Sequence, residues 1–145
     1  MTLVFKYKKI ERPAPYQSTN APAIPVTFIG PQARVEVIGL LDSGADFSFI
    51  PKDLANVLGL KETNQSEDIG GISGNIKARK SRLIVSIGKG RERYTFPMYV
   101  YVAEEQTAND FPILIGREGF FEKFKVTFAE AERKIYIKYF SKQRF

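Results

Sequence analysis

The chain has 145 residues, with 22 lysines and arginines against 16 aspartates and glutamates, a formal net charge of +6, and neither cysteine nor histidine. That length can bury a core without disulfides or a structural metal. The missing residue types exclude a disulfide framework, Ser-His-Asp and Cys-His catalysis, and His-ligated zinc, so any acid–base chemistry must come from carboxylates, lysine or tyrosine.

Aromatic and β-branched residues are plentiful, and long helical windows rich in alanine and leucine are absent, which predicts one mostly β domain over 1–145. Residues 1–13 alternate without a continuous apolar segment and are read as carrying no signal peptide. No stretch approaches the roughly 18 apolar residues of a membrane span, so no membrane partner is expected. The absence of cysteine permits a reducing, cytoplasmic location. The basic residues fall in 6–9, 77–82, 89–93 and 134–144, mostly alternating with apolar positions. That pattern reads as solvated strand faces, and nucleic acid is not an expected partner.

In chain order, 3–10 predicts a first strand, and Pro13, Pro15, Pro22 and Pro25 then make 11–24 a surface connection. Segments 25–29 and 33–38 predict a hairpin around Gly30-Pro31-Gln32, whose second arm runs on through Leu40-Leu41 into Asp42-Ser43-Gly44-Ala45-Asp46. A carboxylate delivered by an apolar run is costly unless something compensates it, although Asp-Ser-Gly also makes an ordinary Asx-turn. Beyond it come a short strand over 48–50 and a brief helix over Lys52–Leu58, opened by Pro51 and ended by Gly59. Residues 67–78 predict a hairpin with a glycine-rich tip, and 81–87 with 91–102 a further hairpin around Gly88-Lys89-Gly90. The apolar run 111–115 predicts a strand buried on both sides. A short helix over 116–124 and a closing hairpin of 124–128 with 134–140 follow, with a frayed tail after Phe140.

Three segments carry the chemistry. They are Leu41-Asp42-Ser43-Gly44-Ala45-Asp46, Ile69-Gly70-Gly71-Ile72-Ser73-Gly74-Asn75-Ile76-Lys77 and Ile113-Leu114-Ile115-Gly116-Arg117. Their order and spacing resemble the retropepsin-like aspartic proteases, the second segment matching the flap of the retroviral enzymes. The resemblance covers 25–128. The strands of 1–24 and 129–145 extend beyond the compact retroviral form, as in non-viral members.

The resemblance implies a closed, mostly β retropepsin-like barrel with one or two short helices and a flap hairpin. It implies an aspartic endopeptidase without cofactor or metal, acting on extended peptides. Asp42 would be the catalytic carboxylate in a turn formed with Ser43, Gly44 and Ala45. Only one such turn is present, so the resemblance implies a homodimer in which two copies of Asp42 share a water and a proton. Ser43 would bond across the two-fold axis, and Asp46 with Arg117 would form a structural ion pair, the alternative being two unrelated surface charges. Ile69, Gly70, Gly71, Ile72, Ser73 and Gly74 would form the flap, with Ser73 standing where the closest flaps carry glycine; a plain surface hairpin is the alternative. Phe47, Pro112 and Leu114, together with Ala45, Ile69 and Ile72, are candidates for the substrate pocket, and core packing explains each equally well. Two other functions stay open. One is a catalytically silent peptide-binding or scaffold module of the same fold, and the other a basic, nucleic-acid-associated domain supported by charge alone.

Overall fold

The alternating apolar residues of the chain are spent on a closed sheet. The computed structural model describes residues 1–10, 15, 18–71, 74–104 and 113–140. Strands β1 (Thr2–Lys6), β2 (Lys8–Ile10), β3 (Thr19–Ala21), β4 (Ala23–Ile29), β5 (Arg34–Leu41) and β6 (Phe49–Ile50) precede helix α1 (Lys52–Leu58). Strands β7 (Glu67–Gly71), β8 (Gly74–Lys89), β9 (Glu92–Ala103), β10 (Ile113–Ile115), β11 (Phe124–Ala129) and β12 (Lys134–Tyr139) follow it.

The main sheet runs β4-β5-β10-β6-β9-β8, and β8 pairs again with β4, so six strands close into a barrel while β7 adds to β8 as a hairpin arm. Closure is narrow, with Thr27, Phe28 and Ile29 facing Ser86, Val85 and Ile84. Pro25 lies on β4 before that seam begins, where a missing N–H leaves no ladder bond unmade. Ile24, Val26 and Phe28 of β4, Val85 and Ile87 of β8, Met98 and Val100 of β9, and Ile115 of β10 fill the interior.

A second sheet, β1-β12-β11, lays Leu3, Phe5, Ile135 and Ile137 against the same core. Phe96, Phe120 and Phe124 join the two sheets through tilted ring contacts of 5.1–6.0 Å. Helix α1 ends as its sequence predicts: Gly59 takes φ 73°, and its N–H reaches the carbonyls of Ala55 and Asn56. A side chain there would be strained. Among the described residues no helix is long and apolar enough to cross a membrane.

Several boundaries differ from those expected. The strand over 3–10 is two strands, because Tyr7 turns inward, its N–H held by the carbonyl of Arg133, and the halves join different sheets. The connection over 11–24 contains β3 and the start of β4. The hairpins 67–78 and 81–102 share one continuous 16-residue strand, β8. The helix over 116–124 is a single irregular turn, Arg117–Phe121, interrupted by extended Glu118 and by Gly119 at φ 84°. Of the strand expected over 111–115 the structure describes Ile113–Ile115, where Ile115 alone is fully buried and Leu114 faces outward from the barrel interior. Phe111, Pro112, Ile72, Ser73 and the tail after Phe140 lie outside the described residues.

Candidate active site

Strand β5 ends at Leu41, and the chain turns at once. The N–H of Gly44 donates to Asp42 Oδ1 at 2.9 Å, and the N–H of Ala45 reaches the Asp42 carbonyl at 3.2 Å. Asp42 is half-buried, whereas Ser43, Gly44 and Asp46 are exposed. A carboxylate bonded to a backbone N–H within its own turn has its direction fixed locally.

The turn is strapped from behind by β10 and the residues after it. Strand β10 runs parallel to β5, with Ile115 beside Leu41. Asp42 N–H donates to the Ile115 carbonyl, Arg117 N–H to the Ala45 carbonyl and Glu118 N–H to the Asp46 carbonyl, each at 2.9 Å. Gly116 makes this approach possible, since a β-carbon there would lie 2.3 Å from the Phe47 carbonyl oxygen. Above the backbone strap, Arg117 Nη2 bonds to Asp46 Oδ1. Two motifs some seventy positions apart are thereby fastened at Asp42, Ala45 and Asp46 on one side and Ile115, Arg117 and Glu118 on the other.

Sequence reasoning gave Ser48 no role, yet it completes the strap. It is fully buried, its hydroxyl accepts the Gly116 N–H at 2.9 Å, and its carbonyl accepts the Tyr101 N–H at 2.8 Å. No signal in a Phe-Ser-Phe-Ile run marks which neighbour a serine will meet.

Beside the turn lies a second apolar cluster, separate from the barrel interior. Phe49, Ala78 and Tyr101 are buried in it, with Phe47, Ile69 and Leu114 packed against them. Tyr101 is its centre, meeting Phe47 edge-to-face at 5.0 Å and Phe49 in a stacked arrangement at 5.8 Å. The pocket candidates Phe47, Leu114 and Ile69 are thus brought together. Ala45 is half-buried in the adjoining turn, while Pro112 and Ile72 lie outside the described residues. Tyr101, Phe49 and Ala78 were missed. On β9 the alternation buries Met98, Val100 and Val102 inside the barrel, which assigns Tyr101 to solvent. The β7–β8 hairpin covers that outer face instead.

The hairpin is paired from Glu67 opposite Ala78 to Gly71 opposite Gly74, placing Ile69 and Gly70 on its first arm. Its root is pinned by side chains. Arg79 Nε bonds to Glu104 Oε1 at 2.9 Å, and hydrogen bonds from Arg79 and Ser66 hold the Glu104 carboxyl below its ordinary value. Burial raises the Tyr101 phenol above its ordinary value, and the neighbouring carboxylates of Glu67 and Glu118 add to the effect, Glu67 also through a hydrogen bond. Among the described residues no group of histidine, cysteine and carboxylate side chains could hold a metal ion.

The family model described as Aspartyl protease matches residues 24–118. No curated protein matches the chain. Among solved structures the chain is similar to a retropepsin-like aspartic protease from Rickettsia conorii, at 18% identity and a TM-score of 0.50 over 96% of this chain and 94% of that one. It is also similar to EIAV protease complexed with the inhibitor HBY-793, at 22% identity and a TM-score of 0.45 over 68% of this chain and 83% of that one. With a closed barrel, a hairpin beside the Asp42 turn and a family match over about two thirds of its length, the chain belongs to the aspartyl protease family and has a retropepsin-like fold.

Proposed function

We propose that the protein is an aspartic endopeptidase, active as a homodimer in which Asp42 of each protomer contributes one carboxylate. The observation that carries this reading is the Asp42 turn, aimed by Gly44 and held against 115–118. A single carboxylate cannot both take a proton from water and give one to the substrate carbonyl. Two carboxylates brought together cannot both ionise, so the pair holds one proton. The ionised member removes a proton from the water as it attacks the peptide carbonyl, and the protonated member donates to the carbonyl oxygen. The titration then belongs to the pair. The exposed rim of Ser43, Gly44 and Asp46 is the surface that a two-fold mate would cover, with Ser43 bonding across the axis and the Asp46–Arg117 pair bracing each turn.

The hairpin 69–74 acts as the flap, closing on an extended peptide and excluding water. Phe47 and Leu114, with Tyr101 beneath them, supply apolar contact to substrate side chains. The core shared by barrel and terminal sheet supports one domain over 1–145, and a sequence without cysteine suits a cytoplasmic site of action.

The test is incubation with a diverse peptide mixture from acidic to neutral pH, identifying new termini, alongside Asp42→Asn. The wild type is expected to cleave, and the variant to lose at least about 1000-fold while keeping its fold, the scale at which a principal catalytic group acts. Equal cleavage by both proteins would overturn the assignment. No cleavage by either, with peptide binding retained, would favour the silent binding module. Sedimentation across concentrations tests the mate, and a monomer that cleaves would contradict the paired site.

A further inference from the structure

Strand register gathers lysines that the sequence scatters. On the terminal sheet, Lys6 of β1 stands directly opposite Lys134 of β12, and Lys138 of β12 directly opposite Lys125 of β11. Leu3, Phe5, Ile135 and Ile137 are buried on the inner face, so alternation sends all four lysines to the outer one. Like charges directly opposite destabilise a sheet. Among the described residues none of the four makes an ion pair. Lysines on the outer strands guard free edges, which accounts for Lys6 and Lys125. It does not account for Lys134 and Lys138, which stand on the central strand and face them. In the adjoining turn Glu130 accepts from the Tyr7 hydroxyl, and Glu132 accepts from that of Tyr136, bringing one carboxylate to this face against four lysines. Tyr136 itself lies between the two lysine pairs, flanked by Val4 and Thr127.

We propose that this face docks an extended acidic segment of a partner polypeptide, whose carboxylates four residues apart engage the two lysine pairs. Lys134 and Lys138 are separated by four residues of strand, about 13 Å, which is also the spacing of positions i and i+4 in an extended ligand. The cations are all lysine, compact point charges without the planar fork by which arginine grips phosphate. Val4 and Tyr136 offer apolar contact to a residue between the carboxylates. A second copy of this chain is not the occupant, because two-fold pairing of the face would press lysines against lysines. The choice of a polypeptide partner rests on the protease reading, whereas docking itself requires no turnover.

The experiment therefore uses the full chain carrying Asp42→Asn. Fluorescence anisotropy follows a labelled Glu-Thr-Val-Thr-Glu peptide and its Gln-Thr-Val-Thr-Gln counterpart, with single-stranded oligo(dT) and phosphatidylserine vesicles as competitors. The acidic peptide is expected to bind about tenfold more tightly than the neutral one, the sum of a few exposed ion pairs. Lys125→Gln with Lys138→Gln, and separately Lys6→Gln with Lys134→Gln, should each remove most of that preference without lowering thermal stability, since each relieves a repulsion. Equal affinity for the two peptides, or a preference that survives both double variants, would overturn the assignment. Displacement by oligo(dT) or by vesicles at lower concentration than by acidic peptide would overturn it in favour of a nucleic acid or a membrane. None of these outcomes bears on cleavage by Asp42, which the peptide-mixture assay reads separately.

Discussion

Ser48 shows how much a single hydroxyl can hold. Removing it by Ser48→Ala leaves the Gly116 N–H buried without a partner, at a cost of about 1–3 kcal/mol. Urea unfolding should show a lower midpoint with an unchanged slope. The Asp46–Arg117 pair behaves differently, because its side chains are 66% and 56% exposed in the single chain. An exposed pair contributes about 0–1 kcal/mol, so Arg117→Gln should leave unfolding nearly unchanged. If the pair braces the turn toward a mate, the same variant loses peptide cleavage disproportionately, and a loss of stability above that range would show that the pair serves the fold. Asp42 stood out in the sequence as a charge delivered by an apolar run, and the Asp46–Arg117 pair was expected from the resemblance of their two motifs to the family. Ser48 was not, because its value lies in a backbone N–H brought to it by a strand sixty-eight positions away.

The β7–β8 hairpin depends on carboxylates at its root. Glu104 in the folded chain binds a proton less readily than it would unfolded, so the contribution of its bonds to Arg79 and Ser66 is complete above the ordinary glutamate range. It is lost as pH falls through the lowered value. Hydrogen exchange at the root, corrected for intrinsic rates, should therefore accelerate in acid. Arg79→Gln should weaken that pH dependence, Ser66 still bonding to Glu104, and an undiminished dependence in the variant would assign the loosening to another group. The existence and order of these hairpins were readable from alternation and glycine. Their fusion through one 16-residue strand was not, since a strand that changes partners midway keeps the same period of two. For the same reason the place of Tyr101 was not readable, because alternation gives the side of a sheet and not what covers it.

At the scale of the molecule, the terminal sheet shares its core with the barrel. Phe5 is 3% exposed, so Phe5→Ala should cost about 3–5 kcal/mol and shift the whole unfolding transition rather than a separate one. Two transitions would mean that the sheet and the barrel fold independently. The mostly β character was legible from composition and alternation, and closure into a barrel was expected from the resemblance of the three motifs to the retropepsin-like family. The partnership of the first strand with the last was not, because no local pattern encodes a contact between opposite ends of a chain.

That partnership has a consequence in time. Among the described residues Thr2–Lys6 pairs only with Lys134–Tyr139, so a strand made well over a hundred residues before its neighbour is among the last to find its place. The β11–β12 hairpin can form locally, but β1 must stay reachable while everything between is made. Closing so large a loop costs little more than closing a moderate one, so the burden falls on folding rate and not on stability. Throughout that wait Leu3 and Phe5 face solvent. A nascent chain stalled before Lys134 would keep them there, an apolar strand without a neighbour and a ready target for aggregation or for a chaperone.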